Sequence, residues 1–140
     1  MSYLEIIYRL FLGAALGALI GVERSFFKKQ AGLRTFALVG LGATLFSLIA
    51  TKFTPDSITR ILANIVLGIG FLGAGIIFYH EEKIRGATTA AALWTTAAIG
   101  ASVGQGFYLE SFVTTILVIL ILALLPFIEI KIRKDDKFFE

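Results

Sequence analysis

The segment Phe112–Pro126, with the sequence FVTTILVILILALLP, is the most uniformly apolar part of this 140-residue chain and decides its fold class. With its flanks it extends over Leu109–Ile132, which as a helix is long enough to cross the ~30 Å hydrocarbon core of a bilayer. A helix is required because lipid cannot hydrogen-bond to free backbone groups, and the run lacks the alternation of barrel strands. The segment therefore predicts a lipid-facing transmembrane helix, with a kink at Pro126.

Four further apolar segments, separated by short charged runs, precede this one along the chain. The sequence therefore predicts an all-α fold, a polytopic transmembrane bundle with five spans: Leu4–Val22, Thr35–Phe53, Ile58–Tyr79, Ala87–Gly104 and Leu109–Ile132. Residues 1–132 are expected to form one transmembrane domain, and residues 133–140 a short charged cytoplasmic tail. The fourth span is rich in alanine and threonine, and we expect it inside the bundle because small side chains let helices approach closely.

The overall composition agrees with a membrane protein. Hydrophobic residues make up 57% of the chain and charged residues only 16%, and the mean hydropathy is +0.86. Soluble domains are about 45–50% apolar and about a quarter charged. This composition argues against a soluble enzyme, a disordered protein and a nucleic-acid-binding domain. The chain contains no cysteine, which excludes disulfides, thiolate metal sites and a cysteine nucleophile.

Basic residues are distributed unequally between the two ends of the predicted spans, and this distribution predicts the orientation. Ten lie on one side: Arg24, Lys28, Lys29, Arg34, Lys83, Arg85, Lys131, Arg133, Lys134 and Lys137. Three lie on the other: Arg9, Lys52 and Arg60. The positive-inside rule then places the N-terminus outside and the C-terminus in the cytoplasm, as an odd number of spans requires.

Two groups of glycines are candidates for helix packing. The first span carries Gly13, Gly17 and Gly21 at intervals of four, which makes one flat face suited either to packing inside the chain or to self-association. Gly100 and Gly104 repeat this spacing more weakly in the fourth span.

The third span contains four glycines in eight residues, Gly68, Gly70, Gly73 and Gly75. Glycine is unfavourable in a helix, so the sequence indicates either a very close helix crossing or a broken helix whose carbonyl groups line an ion path. Asn64, in the same span, is expected either to join helices by hydrogen bonding or to contact a hydrated ion.

Charged residues near the predicted cytoplasmic face form the next candidate site. Glu23 and Arg24 end the first span, Arg34 opens the second and Arg85 opens the fourth. If Glu23 neutralises Arg34 or Arg85, a net positive pocket remains that suits a phosphate, a lipid headgroup or an acidic partner segment. The alternative is that these charges only set the topology. Glu5 and Arg9 are expected to pair at the opposite face.

We expect no catalytic residues and no enzymatic activity. The one histidine, His80, adjoins Glu81 and Glu82 in a loop, and the sequence contains no Ser/His/Asp set and no HExxH motif. Thr88, Thr89, Thr95 and Thr96 are expected to hydrogen-bond back to their own helix.

Several motifs resemble those of the MgtC/SapB family of membrane proteins. They are Gly17–Arg24 (GALIGVER), Ala31–Thr35 (AGLRT), Gly68–Gly75 (GIGFLGAG) and Arg85–Ala91 (RGATTAA), followed by Trp94 and Ala98–Gly100. The resemblance extends over nearly the whole chain, and the motifs in this order are together far more specific than any one of them alone. Two positions depart from the family pattern: Phe36 stands where a polar residue is common, and Asn64 where glutamine is common.

The resemblance implies a multi-pass protein of the bacterial inner membrane with a role in magnesium and stress homeostasis. On this resemblance we expect the chain to be a short form without the soluble C-terminal domain that some members carry. Within the family motifs, the residues that would carry function are Glu23, Arg24, Arg34, Thr35, Asn64, Arg85, Thr88, Thr89 and Trp94.

Two mechanisms remain open at this stage. In the first, the protein regulates a membrane partner such as the proton-translocating ATP synthase. The partner would dock against the glycine faces of this chain or against its basic cytoplasmic rim. In the second, a homo-oligomer of the chain transports Mg²⁺ or another cation. Mg²⁺ is the one candidate cofactor, with Glu23 and Asn64 as weak candidate ligands, although the arginines around Glu23 disfavour a dedicated magnesium cage. Besides these partners we expect contact with the lipid bilayer, and none with nucleic acid.

Overall fold

The computed structural model describes residues 1–80 and 83–136, and the side chains of residues 1–77 and 84–132. It contains the helices α1 (Tyr3–Phe26), α2 (Leu33–Ala50), α3 (Pro55–Ile76), α4 (Ala87–Gln105) and α5 (Tyr108–Asp136). Between α3 and α4 lies a short antiparallel hairpin of β1 (Phe78–His80) and β2 (Lys83–Arg85), with Phe78 opposite Arg85. Apart from this hairpin, the regular secondary structure of the described residues is entirely helical.

The helix bounds differ from the predicted spans by a few residues at several ends. α1 continues beyond Val22 to Phe26, and residues 51–53, which are predicted in the second span, lie beyond the end of α2 at Ala50. The third span is predicted to reach Tyr79, but α3 ends at Ile76, because the backbone becomes extended at Ile77 and continues into β1. α3 also begins earlier than predicted, at Pro55. The fixed φ of proline suits the first turn of a helix. At the other end of the chain, α5 continues through Pro126 to Asp136, so part of the predicted tail is helical. Residues 137–140, Glu81 and Glu82 lie outside the described residues.

Four of the described helices are long and apolar enough to cross a membrane: α1, α2, α3 and the part of α5 up to Ile132. α4 is not among them, because alanine, threonine and glycine contribute much of its sequence and are less apolar than leucine or isoleucine. The protein is thus a membrane protein by length and composition. Five crossings and the orientation of the termini remain predictions.

α4 is the central helix of the bundle. It contacts all four other helices, whereas α3 packs against α4 and, less extensively, against α2. Leu93, Ile99 and Val103 of α4 are fully buried, and so are Ile20 of α1 and Phe36 of α2. This arrangement confirms the expectation that the fourth span lies inside the bundle.

The glycine stripe of α1 packs inside the chain, against α2. A side chain at Gly17 would collide with the carbonyl oxygen of Phe36, and a Cβ at Gly21 would lie 2.7 Å from the Cα of Leu33. A side chain at Gly13 would collide with the hydroxyl oxygen of Thr44. The backbones of α1 and α2 are therefore in direct contact, and this face offers no surface to a second protein.

α4 also packs closely against α2 through glycines, and it contacts α1 as well. Side chains at Gly100 and Gly104 would collide with α2, the latter at 2.7 Å from the carbonyl oxygen of Thr44. The hydroxyl of Thr44 lies 2.8 Å from the carbonyl oxygen of Gly40 and 2.9 Å from that of Gly100, so it links α2 to α4. Three helices thus meet at distances that only glycine permits.

Candidate functional site

The first candidate surface is an open groove of about 670 Å³ between α2 and α3, here called the α2–α3 groove. Its floor is formed by Ala43, Ile69 and Ala97. Its walls are apolar except at Thr35 and Asn64. The wall residues are Thr35, Leu38, Val39, Gly42 and Phe46 from α2, and Ile61, Asn64, Ile65, Gly68 and Leu72 from α3. The groove exists because α3 rests mainly on α4 and leaves the flank of α2 uncovered.

Glycines on both walls of the α2–α3 groove face open space. A Cβ at Gly42 or Gly68 would meet no atom within 4 Å, and the same holds for Gly70 and Gly75. Within the glycine-rich run only Gly73 packs against a neighbouring helix, at 3.4 Å from the Cβ of Ala90.

This finding corrects both interpretations of the third-span glycines. α3 is one continuous helix from Pro55 to Ile76, so the run Gly68–Gly75 contains no break that would free carbonyl groups. Gly68, Gly70 and Gly75 make no close crossing either, because α3 uses only the face of Ile69 and Gly73 to contact α4. The open glycines remain available to another helix.

Asn64 and Thr35 are exposed polar residues on the lining of the α2–α3 groove. Asn64 lies nine residues after Pro55, which corresponds to roughly 13 Å along the helix axis. No described residue forms a hydrogen bond with its amide. In a membrane an amide at this depth favours a hydrogen-bonding partner over lipid.

The second candidate surface is a cavity of about 840 Å³ at the end of the bundle where α1 ends and α4 begins, here called the rim cavity. Its described lining includes four basic and two acidic residues: Arg24, Lys28, Lys29, Arg85, Glu23 and Glu129. The opposite wall is apolar and comes from residues 121–130 of α5.

Glu23 forms an ion pair with Arg24, its neighbour in the chain. Nη2 of Arg24 donates to Oε1 of Glu23 at 2.7 Å, and Nε donates to the second carboxylate oxygen. The side chain of Arg24 is only 4% exposed. The expected pairing of Glu23 with Arg34 or Arg85 does not form, since both arginines are exposed and Arg24 already occupies the carboxylate.

The start of α4 forms the edge of the rim cavity. Gly86 has the left-handed backbone conformation, with φ 89°, and no side chain caps the helix. Thr89 is buried and its hydroxyl lies 3.1 Å from Oε1 of Gln30, rather than bonding back to its own helix as expected. Thr88 is exposed on the cavity lining, and Trp94, further along the helix, is 50% exposed.

The expected back-bonding does occur for the other two threonines of α4. Thr95 donates to the carbonyl oxygen of Ala91 at 3.0 Å, and Thr96 to that of Ala92 at 2.8 Å. Both hydroxyl groups therefore use their proton within α4.

A polar cluster at the opposite end of the bundle was only partly predicted. The expected ion pair of Arg9 with Glu5 is confirmed. Arg9 also donates to the carbonyl oxygen of Gly104 at 2.7 Å, and its guanidinium lies 5.6 Å from the ring centre of Tyr108. The i, i+4 spacing indicates the first contact, whereas the contacts with α4 and α5 have no signal in the sequence.

The two candidate magnesium ligands do not meet. Glu23 lies on the rim cavity and Asn64 on the α2–α3 groove. Among the described residues, no three His, Asp or Glu side chains gather into a group that could hold a metal ion.

Comparison with known proteins gives consistent matches. A sequence profile of the MgtC family matches residues 10–131. Protein MgtC of Salmonella typhimurium is 47% identical over 113 residues, which cover 81% of this chain and 49% of that protein. Protein MgtC of Brucella abortus is 47% identical over 117 residues, which cover 82% of this chain and 49% of that protein. The chain thus spans about half the length of these relatives, and no solved structure matches it.

Proposed function

The chain belongs to the MgtC family, and from this premise we propose that it is a regulatory protein of the bacterial inner membrane that acts in magnesium and stress homeostasis. In this proposal it holds a transmembrane segment of a membrane partner, such as the ATP synthase, in the α2–α3 groove. The observation that carries the proposal is the pair of glycine-lined walls at Gly42 and Gly68, which face open space inside the apolar region of the bundle.

The physical basis of the docking is helix packing in lipid. Lipid tails are as apolar as leucine, so helices associate through close van der Waals contact and hydrogen bonds rather than through the hydrophobic effect. Open glycines let a foreign helix approach the backbone of α2 and α3. The glycines of α1 cannot serve this purpose, because they are already occupied by α2. The docking face that was expected on the first span is therefore proposed on the third.

Asn64 adds specificity to the proposed docking. Its amide offers both a donor and an acceptor to a helix lying in the groove. A partner with a polar group at the matching depth is favoured over one that leaves the amide without a hydrogen bond.

The proposal is tested by filling the groove without disturbing the fold. Gly68→Leu places a large side chain in the groove, where a Cβ meets nothing within 4 Å. Gly70→Leu is the matched control, because Gly70 is equally open but does not line the groove. ATP synthase subunits that co-purify with the tagged chain from magnesium-limited cells are measured for each variant.

We expect Gly68→Leu to reduce recovery at least about tenfold, which corresponds to a loss of about 1.4 kcal/mol in binding. Gly70→Leu is expected to leave recovery unchanged. Equal recovery with both variants would show that the groove does not hold the partner. Loss with Gly70→Leu alone would move the docking site to the opposite face of α3.

Cation transport by a homo-oligomer is the second candidate function, and the position of Asn64 in the groove is the observation that favours it. The groove is open to the side in one chain, so a second copy would have to close it into a path. Magnesium flux into sealed liposomes that contain the protein tests this candidate. Flux that is lost in Asn64→Ala and kept in Glu23→Ala would support a path through the groove, and no flux from folded protein would exclude it.

A further inference from the structure

We propose that the rim cavity binds a phosphate group, presented by an anionic phospholipid whose acyl chain lies against α5. This binding site is separate from the α2–α3 groove, and the proposal does not depend on a docked partner. Three features of the rim cavity point to this ligand: its excess of basic side chains, a buried arginine with a free donor, and an uncapped helix N-terminus beside an apolar wall.

The first feature is the charge of the described lining. Lys28, Lys29 and Arg85 are exposed there, and the carboxylate of Glu23 is occupied by Arg24. Glu129 is the remaining acidic side chain on this lining. The lining thus carries a net positive charge next to a low-dielectric wall, and such a setting attracts anions.

The second feature is the guanidinium of Arg24. The residue is 3% exposed and lines the cavity. Its Nε and Nη2 donate to Glu23, but no described residue accepts a hydrogen bond from Nη1. A planar guanidinium that is held rigid on one edge and free on the other is well suited to bind a phosphate oxygen.

The third feature is the beginning of α4. The first hydrogen bond of the helix runs from the backbone N–H of Ala90 to the carbonyl oxygen of Gly86, so the N–H groups of residues 87–89 have no partner within the helix. No side chain caps them, and these residues line the cavity. Free N–H groups and the helix dipole favour a negative charge at this point.

The apolar wall distinguishes a lipid from a free anion. Leu125, Phe127 and Ile130 of α5 are exposed, and they line the cavity beside its basic residues. Inorganic phosphate uses only the basic part of such a cavity. A phospholipid uses both parts, because its headgroup meets the positive charges and its chain covers the apolar wall.

The conformation of Lys28 gives further support. It is the one described non-glycine residue with a positive φ, 50°, and it lies on the cavity lining. A left-handed conformation is unfavourable for lysine. Strain of this kind is often found at functional sites. Glycine would adopt this conformation without strain, so a lysine at this position supports a role for its charge in binding.

The test compares two double variants that remove the same charge. Lys28→Gln with Arg85→Gln removes two basic residues of the rim cavity, and Lys52→Gln with Arg60→Gln removes two exposed basic residues at the opposite end of the bundle. The full chain in mild detergent is titrated with phosphatidylglycerol, with phosphatidylcholine, or with inorganic phosphate alone. Bound lipid is counted by native mass spectrometry, and bound phosphate is detected by a rise in Tm.

We expect the wild type and the Lys52/Arg60 variant to retain phosphatidylglycerol in preference to phosphatidylcholine. The Lys28/Arg85 variant is expected to bind phosphatidylglycerol about tenfold more weakly, because two charge-assisted contacts are lost. Equal retention by both variants would overturn the proposal. Stabilisation by inorganic phosphate that depends on Lys28 and Arg85, without any preference for phosphatidylglycerol, would overturn the lipid as the source of the phosphate group.

Discussion

Gly40 is the residue at which α1, α2 and α4 come closest. It is buried, and a side chain there would collide with the carbonyl oxygen of Gly13. In turn, its own carbonyl oxygen leaves no room for a side chain at Gly100. Gly40 was not among the predicted packing residues, because it follows no regular spacing with another predicted packing glycine. Its importance comes from the two helices that cross at this point.

We predict that Gly40→Ala destabilises the protein, whereas Gly42→Ala does not. The new methyl group at residue 40 meets backbone on α1, so the helices must separate, and overpacking of this kind costs roughly 1–3 kcal/mol. A methyl group at residue 42 meets no atom within 4 Å. Alanine also favours the helix over glycine by up to about 1 kcal/mol in soluble hosts. The measurement is the free energy of unfolding in detergent micelles, and equal values for the two variants would contradict the prediction.

Lys28 determines how the element α1 ends. The N–H of Lys29 bonds to the carbonyl oxygen of Arg24 at 3.0 Å, and that of Lys28 to Ser25 at 3.1 Å, with Lys28 in the left-handed conformation. This is the Schellman arrangement, which usually has glycine at the left-handed position. α4 ends with the same pair of bonds and has Gly106 at that position. The two helix ends thus share this hydrogen-bond pattern, but only α1 has a side chain at the left-handed residue.

We predict that Lys28→Gly stabilises the protein and weakens its binding of phosphatidylglycerol. Relief of the left-handed strain is worth about 1–2 kcal/mol, partly offset by the greater freedom of glycine in the unfolded chain. Lys29→Gly is the control, because it removes the same charge from a residue whose φ is not positive. The free energy of unfolding should rise for Lys28→Gly alone. A similar change in both variants would show that strain at Lys28 is not the cause.

At the scale of the whole molecule, the two candidate surfaces are separate. The α2–α3 groove lies on the flank of the bundle and the rim cavity at one of its ends, and the two have no lining residue in common. Separate surfaces allow the protein to contact lipid at one and a partner helix at the other. The side of the membrane that the rim cavity faces depends on the orientation of the bundle, which the positive-inside rule predicts.

We predict that the rim cavity faces the cytoplasm and that α4 crosses the membrane. Because the chain contains no cysteine, one introduced cysteine is a unique label. Lys52→Cys and Phe107→Cys should react with a membrane-impermeant thiol reagent added to spheroplasts, while Arg85→Cys should react only after permeabilisation. All three positions are exposed. Labelling of residues 85 and 107 from the same side would show that α4 does not span the bilayer.

Much of the fold was predictable from the sequence because it depends on local properties. Apolar runs and the charges between them located the helices to within a few residues, and small residues placed α4 at the centre. The hairpin Phe78–Arg85 was missed because its two strands have three residues each and follow an apolar run that continues the pattern of α3. So short an element leaves little periodic signal.

The sequence by itself determined that this protein is a helical membrane protein of the MgtC family, since hydropathy and ordered motifs are properties of the chain alone. Only the tertiary structure decided what each glycine and each charge does. The glycines of α1 are occupied and those of α3 are open, although both groups look equally suited to packing in the sequence. The physical reason is that the sequence shows which residues share a face of a helix, but not which face a neighbouring helix covers. That depends on where the helices cross in the folded bundle. The same holds for Glu23, which pairs with Arg24 rather than with Arg34 or Arg85 among the described residues.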